Sequence, residues 1–159
     1  MTISSSFLGS WKLISAEYRG ATQTAYPFGT DPIGLLIYEP DGWMSVQIMH
    51  RDYGKEIPAA NPATTKNRAA FNGYLGYFGT YKFDEKNSQV SHLVAGSTLA
   101  HWVGSVQQRS YEFVNEKLIF SSPATSKGEE ILAVLTWVRS SEKMNRQPLG
   151  DFEMGHVIS

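Results

Sequence analysis

The chain has 159 residues, 42% hydrophobic and 13% aromatic, enough for one sizeable core and too short for two domains of ordinary size. Fourteen Lys and Arg against fifteen Asp and Glu give a formal charge of −1 with no basic block, which argues against nucleic acid or an anionic membrane as partner. There is no cysteine, so disulfides, thiolate nucleophiles and Cys-type zinc or iron–sulfur sites are excluded.

Met1-Thr2-Ile3-Ser4-Ser5-Ser6 lacks the basic and apolar regions of a signal peptide, and no run of about eighteen apolar residues offers a membrane span. A soluble, cytoplasmic protein is the expectation. Alternation then dominates, predicting about eight strands: Gly9 to Tyr18, Gly34 to Glu39, Trp43 to Met49, Tyr77 to Phe83, Gln89 to Ser97, Ser105 to Val114, Lys117 to Ser122 and Ile131 to Arg139. The first carries a buried tryptophan in Leu8-Gly9-Ser10-Trp11-Lys12-Leu13. The loop from Arg19 to Ile33, with its Tyr26-Pro27-Phe28-Gly29 turn, is a candidate rim. Asp41-Gly42 reads as the turn joining the second and third strands, pairing Tyr38 with Ser45 and Leu36 with Gln47 on one face against Leu35, Ile37, Val46 and Ile48 on the other. Either face could point inward.

Asn61-Pro62-Ala63 opens with an N-cap residue and a proline at the first helical position, so a short helix is expected over 61–71. With the preceding loop, His50 to Ala60, it forms a long insertion placed to act as a lid. Beyond it, Tyr77, Gly79, Tyr81 and Phe83 share one face of the fourth strand. A two-residue turn at Asn115-Glu116 sets Phe113 against Leu118, Tyr111 against Phe120 and Arg109 against Ser122, which puts Arg109 inside with the aromatics. The last strand is apolar on both faces. The tail 140–159 shows no periodicity, and one domain with its core over 8–139 is expected.

Gly9-Ser10-Trp11-Lys12-Leu13, Pro27-Phe28-Gly29, Gly34-Leu35-Leu36-Ile37-Tyr38 leading into Asp41-Gly42-Trp43-Met44-Ser45, Tyr77-Phe78-Gly79-Thr80-Tyr81 and Gln108-Arg109, in that order, resemble the small bacterial and fungal lipocalin-like domain family of the calycin superfamily. The resemblance implies an all-β, eight-stranded, up-and-down antiparallel lipocalin-like (calycin) barrel, here with the short helical insertion near its mouth, around a central cavity. It also implies that Trp11 lies at the closed end under an arginine from a late strand, the position matched by Arg139. Calycin barrels can pair through their outer faces, so a homodimer is one assembly it allows. Carriers, sensors and cofactor-independent enzymes share this barrel, and the fold does not choose among them.

By parity the inward set is Tyr77, Tyr81 and Phe83; Val90, His92 and Val94; Gln107, Arg109, Tyr111 and Phe113; Leu118 and Phe120. An apolar and aromatic wall with a few polar groups describes a small-molecule pocket. His92, between two valines, is either a general base or a core histidine hydrogen-bonded to Tyr81 or to the backbone. Arg109 cannot lose its proton and needs a partner, either an internal carboxylate or tyrosine network or a ligand's carboxylate, enolate or carbonyl oxygen. No acidic residue shares its parity on the strands whose facing is clear. Tyr38, Tyr77, Tyr81 and Tyr111 can line a pocket for a flat ligand or fill a core, and Trp102, beside His101 in the turn before the sixth strand, could cap the mouth.

Other chemistry finds no support. His50-Arg51-Asp52 spells a kinase triplet without the motifs that give it meaning, and the histidines at 50, 92, 101 and 156 lie in separate elements, so neither metal nor cofactor is expected. No nucleophile elbow occurs, and Asp84, Glu85, Glu129 and Glu130 fall in hairpin loops. The leading expectation is non-covalent binding of a small apolar or aromatic molecule by Tyr38, Tyr77, Tyr81, His92, Trp102, Gln107, Arg109, Tyr111, Phe113 and Phe120. The alternative is a cofactor-independent isomerase, cyclase or dehydratase, with His92 moving a proton, Arg109 stabilising an oxyanion and Tyr81 assisting. A protein-interaction module using an exposed sheet edge or apolar patch is the third class.

Overall fold

The computed structural model describes residues 3–53 and 73–140. A short helix α1 (Ile3–Phe7) leads into β1 (Gly9–Arg19), followed by β2 (Thr24–Ala25), β3 (Ile33–Tyr38), β4 (Trp43–Met49), β5 (Tyr74–Asp84), β6 (Gln89–Ser97), β7 (Val106–Val114), β8 (Lys117–Ser126) and β9 (Glu129–Arg139). From β3 onward each strand pairs antiparallel with the next, β3 also pairs with β1, and β9 closes on β1. The result is a closed eight-stranded up-and-down antiparallel barrel, with the two residues of β2 appended to the end of β1. The helix expected over 61–71 and the tail after Ser140 lie outside the described residues. Among those described, no helix is long and apolar enough to cross a membrane.

Two turns decide which residues face inward. Asn115 and Glu116 both adopt positive φ (48° and 65°), the mirror-image turn that suits a two-residue hairpin, so Tyr111 pairs with Phe120 and Phe113 with Leu118. The β3–β4 turn differs from the sequence expectation. Pro40 cannot take positive φ; instead Gly42 N–H donates to the Glu39 carbonyl at 3.1 Å and Gly42 itself takes φ 97°, a three-residue loop with a glycine bulge. The register therefore moves by one. Tyr38 pairs with Met44 and Leu36 with Val46, and these four are buried inside.

Pro123 did not end β8 as its missing N–H suggests. Pairing with β7 stops at Ser121, so from Ser122 onward β8 has β9 on one flank and no strand on the other, the edge condition under which a sheet tolerates proline. One consequence is that the start of β7 and the end of β8 are not joined by ladder pairing.

The closed end is an aromatic plug. Phe7, delivered by α1 and fully buried, stacks on Phe83 and meets Tyr38, Tyr111 and Phe113 edge-on. The Trp11 indole N–H donates to the Phe7 carbonyl at 2.8 Å, and the Arg139 guanidinium lies 4.0 Å over the Trp11 ring while donating to the carbonyls of Ser6 and Leu8. Arg139 thus ties the last strand to α1 across the first. Removing it sacrifices a cation–π contact and two charge-assisted hydrogen bonds. Arg139→Ala is expected to cost about 1–3 kcal/mol in chemical denaturation, with Arg139→Lys recovering only part because the ammonium lacks the fork that reaches both carbonyls.

Candidate functional site

Above the plug the barrel is not filled. A cavity of about 180 Å³ occupies the end bounded by the loop 20–32, which contributes Pro27 and Phe28, and by the 3-10 turn Ala100–Trp102 between β6 and β7. Its wall is apolar where β3, β4 and β5 place Leu36, Val46, Ile48 and Leu75, and β9 adds Ala133, Leu135 and Trp137. Tyr77, His92, Gln107, Arg109 and Ser122 supply polar groups on another side.

His92 is 1% exposed and held between two tyrosines, its Nε2 2.6 Å from the Tyr38 hydroxyl and its Nδ1 2.9 Å from the Tyr77 hydroxyl. Burial, with the Arg109 charge adding to it, lowers the His92 pKa to about 3, so the ring is neutral at physiological pH. Burial also pushes the Tyr38 hydroxyl well above its ordinary pKa and raises that of Tyr77, which the Arg109 charge pulls back. Both phenols are protonated.

Arg109 reaches the cavity because inward parity on β7 runs through Gln107, Arg109 and Tyr111. Its guanidinium lies 5.9 Å from the Trp102 ring centroid and makes long hydrogen bonds to Ser122 Oγ (3.4 Å) and to the Gln108 carbonyl (3.3 Å). Among the described residues no carboxylate pairs with it. The ion pairs described there are Arg19 with Glu17 and Arg51 with Asp31. The indole N–H of Trp137 is buried without a described partner, as is the Tyr111 hydroxyl lower in the barrel.

Of the residues expected from sequence to contact a ligand, Tyr77, His92, Trp102, Gln107, Arg109 and Phe120 line this one cavity. The other four lie elsewhere. Tyr38 stands behind His92; Tyr81 donates to the Glu39 carbonyl at 2.6 Å beside the β3–β4 turn, not to His92; Tyr111 and Phe113 pack on Phe7. The trio His92, Arg109 and Tyr81 is therefore not assembled at one point. Sequence reasoning missed Tyr18, Leu36 and Trp137 as contacts, and had Phe28 only within a candidate rim turn and Ser122 only as the residue opposite Arg109. A signal for Trp137 existed in Lys127-Gly128, whose positive φ values make a two-residue turn that sets Phe120 against Leu135 and Leu118 against Trp137.

His50-Arg51-Asp52 serves the rim. Arg51 pairs with Asp31 at 2.7 Å, and His50 packs so closely under Gly29 that a Cβ there would fall 2.7 Å from its Nε2. His101 is exposed, outside the cavity.

Residues 8–140 match the model of a family described as the lipocalin-like domain. No curated protein matches the chain. Among solved structures, the siderocalin Ex-FABP, described as functioning through dual ligand specificities, aligns over 86% of this chain and 71% of its own, at 8% identity and a TM-score of 0.31.

Proposed function

Since the chain belongs to the lipocalin-like domain family, we propose that its barrel binds one small apolar or aromatic metabolite, non-covalently, in the cavity between β3–β6 and β7–β9. The observation that carries this reading is the pairing of an apolar, largely enclosed space with a guanidinium that has no carboxylate partner among the described residues. A space of about 180 Å³ is comparable with engineered cavities of about 150 Å³ that take up benzene. Ligands of one or two rings suit it. Affinity would come from buried apolar area at roughly 25 cal/mol per Å², with Arg109 fixing orientation.

Binding is favoured over catalysis by the state of His92. A general base must present a free nitrogen to its substrate, and here both ring nitrogens face tyrosine hydroxyls. If the barrel were an isomerase, cyclase or dehydratase, protons would have to pass through Tyr77. His92→Ala would then abolish turnover and leave binding largely intact, whereas parallel loss of both counts against an enzyme.

The first test is native mass spectrometry of gently purified protein for a small molecule released on denaturation. Whatever is recovered should bind Arg109→Ala about 10- to 100-fold more weakly by calorimetry, the loss of one charge-assisted contact. Equal affinity in a folded Arg109→Ala would remove the guanidinium from the site.

A further inference from the structure

We propose that the cavity selects molecules bearing an ionised oxygen, small aromatic or aliphatic acids, and that the Tyr38–His92–Tyr77 chain is wired so that the Tyr77 hydroxyl donates to that oxygen beside Arg109. The inference rests on the binding reading above and adds to it the chemistry of the ligand's polar end.

The argument is an assignment of protons. Tyr38 is 0% exposed, and its hydroxyl's described partner is His92 Nε2 at 2.6 Å. Around it stand the rings of Phe7, Tyr81 and Phe83. Were Nε2 protonated, Tyr38 would accept and its own proton would be left without a described acceptor. Buried hydroxyl protons find acceptors, so Tyr38 donates and Nε2 accepts. A neutral imidazole carries one proton, which therefore sits on Nδ1 and is donated to the Tyr77 hydroxyl oxygen at 2.9 Å. Tyr77, used as an acceptor, keeps a proton that takes part in no described hydrogen bond.

Tyr77 and Arg109 line the cavity together, and the buried indole N–H of Trp137, without a described partner, belongs to a third lining residue. Of the lining acceptors, the Glu17 carboxylate is engaged by Arg19 at 2.8 Å and Ser122 Oγ accepts from Arg109, while Gln107 donates through Nε2 to Ser105 Oγ at 2.8 Å and keeps its neutral amide oxygen. A site of unmatched donors and one unpaired positive charge complements a group that only accepts and is negative, a carboxylate or enolate. An ammonium has no lone pair to offer these donors, and an alcohol offers fewer than a carboxylate and no charge to meet Arg109.

The test has two arms on the full-length protein. Long-range ¹H–¹⁵N correlation with labelled histidine reads which nitrogen of His92 carries the proton: Nδ1–H is expected, and Nε2–H would overturn the wiring. Calorimetry at low ionic strength then compares phenylacetate, phenylacetamide and ethylbenzene. The acid should bind about tenfold or more tighter than the amide, one charge-assisted hydrogen bond's worth. Tyr77→Phe should shrink that ratio while changing ethylbenzene affinity less than about twofold. Equal binding of acid and amide, with ethylbenzene also bound, sinks the acid preference and spares the binding reading. Failure of all three to bind removes the binding reading itself.

Discussion

Gly79→Ala is expected to destabilise the barrel by about 3 kcal/mol or more, the range reached when a core group has nowhere to move. A Cβ at this position would fall 1.8 Å from the Leu93 carbonyl oxygen, 2.8 Å from its carbon and 3.0 Å from the Ala95 nitrogen. All three are backbone atoms of β6: Leu93 is paired on both flanks, and Ala95 is the extra residue at the irregularity in that strand. The obstruction is spatial rather than conformational, because Gly79 is not among the positive-φ glycines. Gly104→Ala is the control: φ 81° makes it costly in backbone strain, about 1–2 kcal/mol, but open space surrounds its Cβ. Gly79 also marks the irregularity where β6 gains a residue, since Phe78 pairs with Gly96 but Gly79 with Val94. That shift sets the register between Tyr77 and the strand carrying His92, so the variant should lose amide protection in β5 and β6 before the rest of the barrel. Equilibrium denaturation and hydrogen exchange check both statements, and a loss below about 1 kcal/mol would show that the two strands part easily.

Direction was legible in the sequence where height along the barrel was not. Strict alternation in β5, β6 and β7 gave the inward set through His92 and Arg109, and the two-residue turn at Asn115-Glu116 tied it to β8. Yet Tyr77 and Tyr81 share parity and lie about 13 Å apart along the strand, four residues at 3.3 Å each. One borders the cavity and the other the closed-end plug, a distinction no local pattern encodes. The β3–β4 hairpin misled because Asp41-Gly42 invites a two-residue turn, while Pro40 before it fixes the three-residue form. β9 gave no parity at all, being apolar on both faces. α1 carries no helical pattern in Ile-Ser-Ser-Ser-Phe; Phe7 fills the plug and Arg139 holds the carbonyls at its end, contacts set by tertiary structure. The Tyr38–His92 hydrogen bond joins residues 54 apart with β4 and β5 between their strands, so only closure of the barrel brings it about.

Acid should unfold this protein through His92. The imidazole titrates near 6.5 when exposed and at about 3 in the fold, so between those values the unfolded chain binds a proton that the folded chain refuses. Stability is complete above about pH 6.5 and falls as pH drops toward 3, with a limiting slope of about 1.4 kcal/mol per pH unit and roughly 5 kcal/mol at full extent. Against an ordinary total of about 5–15 kcal/mol that is a large share. Other groups titrate in the same window, so the informative quantity is the difference from His92→Gln, whose amide can still accept from one tyrosine and donate to the other but does not ionise. Urea midpoints from pH 7 to pH 4 should converge, wild type losing stability steeply and His92→Gln shallowly. Parallel curves would mean that His92 admits its proton in the folded state. The same burial that makes the protein acid-sensitive keeps the ring neutral, and a neutral ring with one proton is what fixes the direction of donation from Tyr38 through to Tyr77 at the cavity wall.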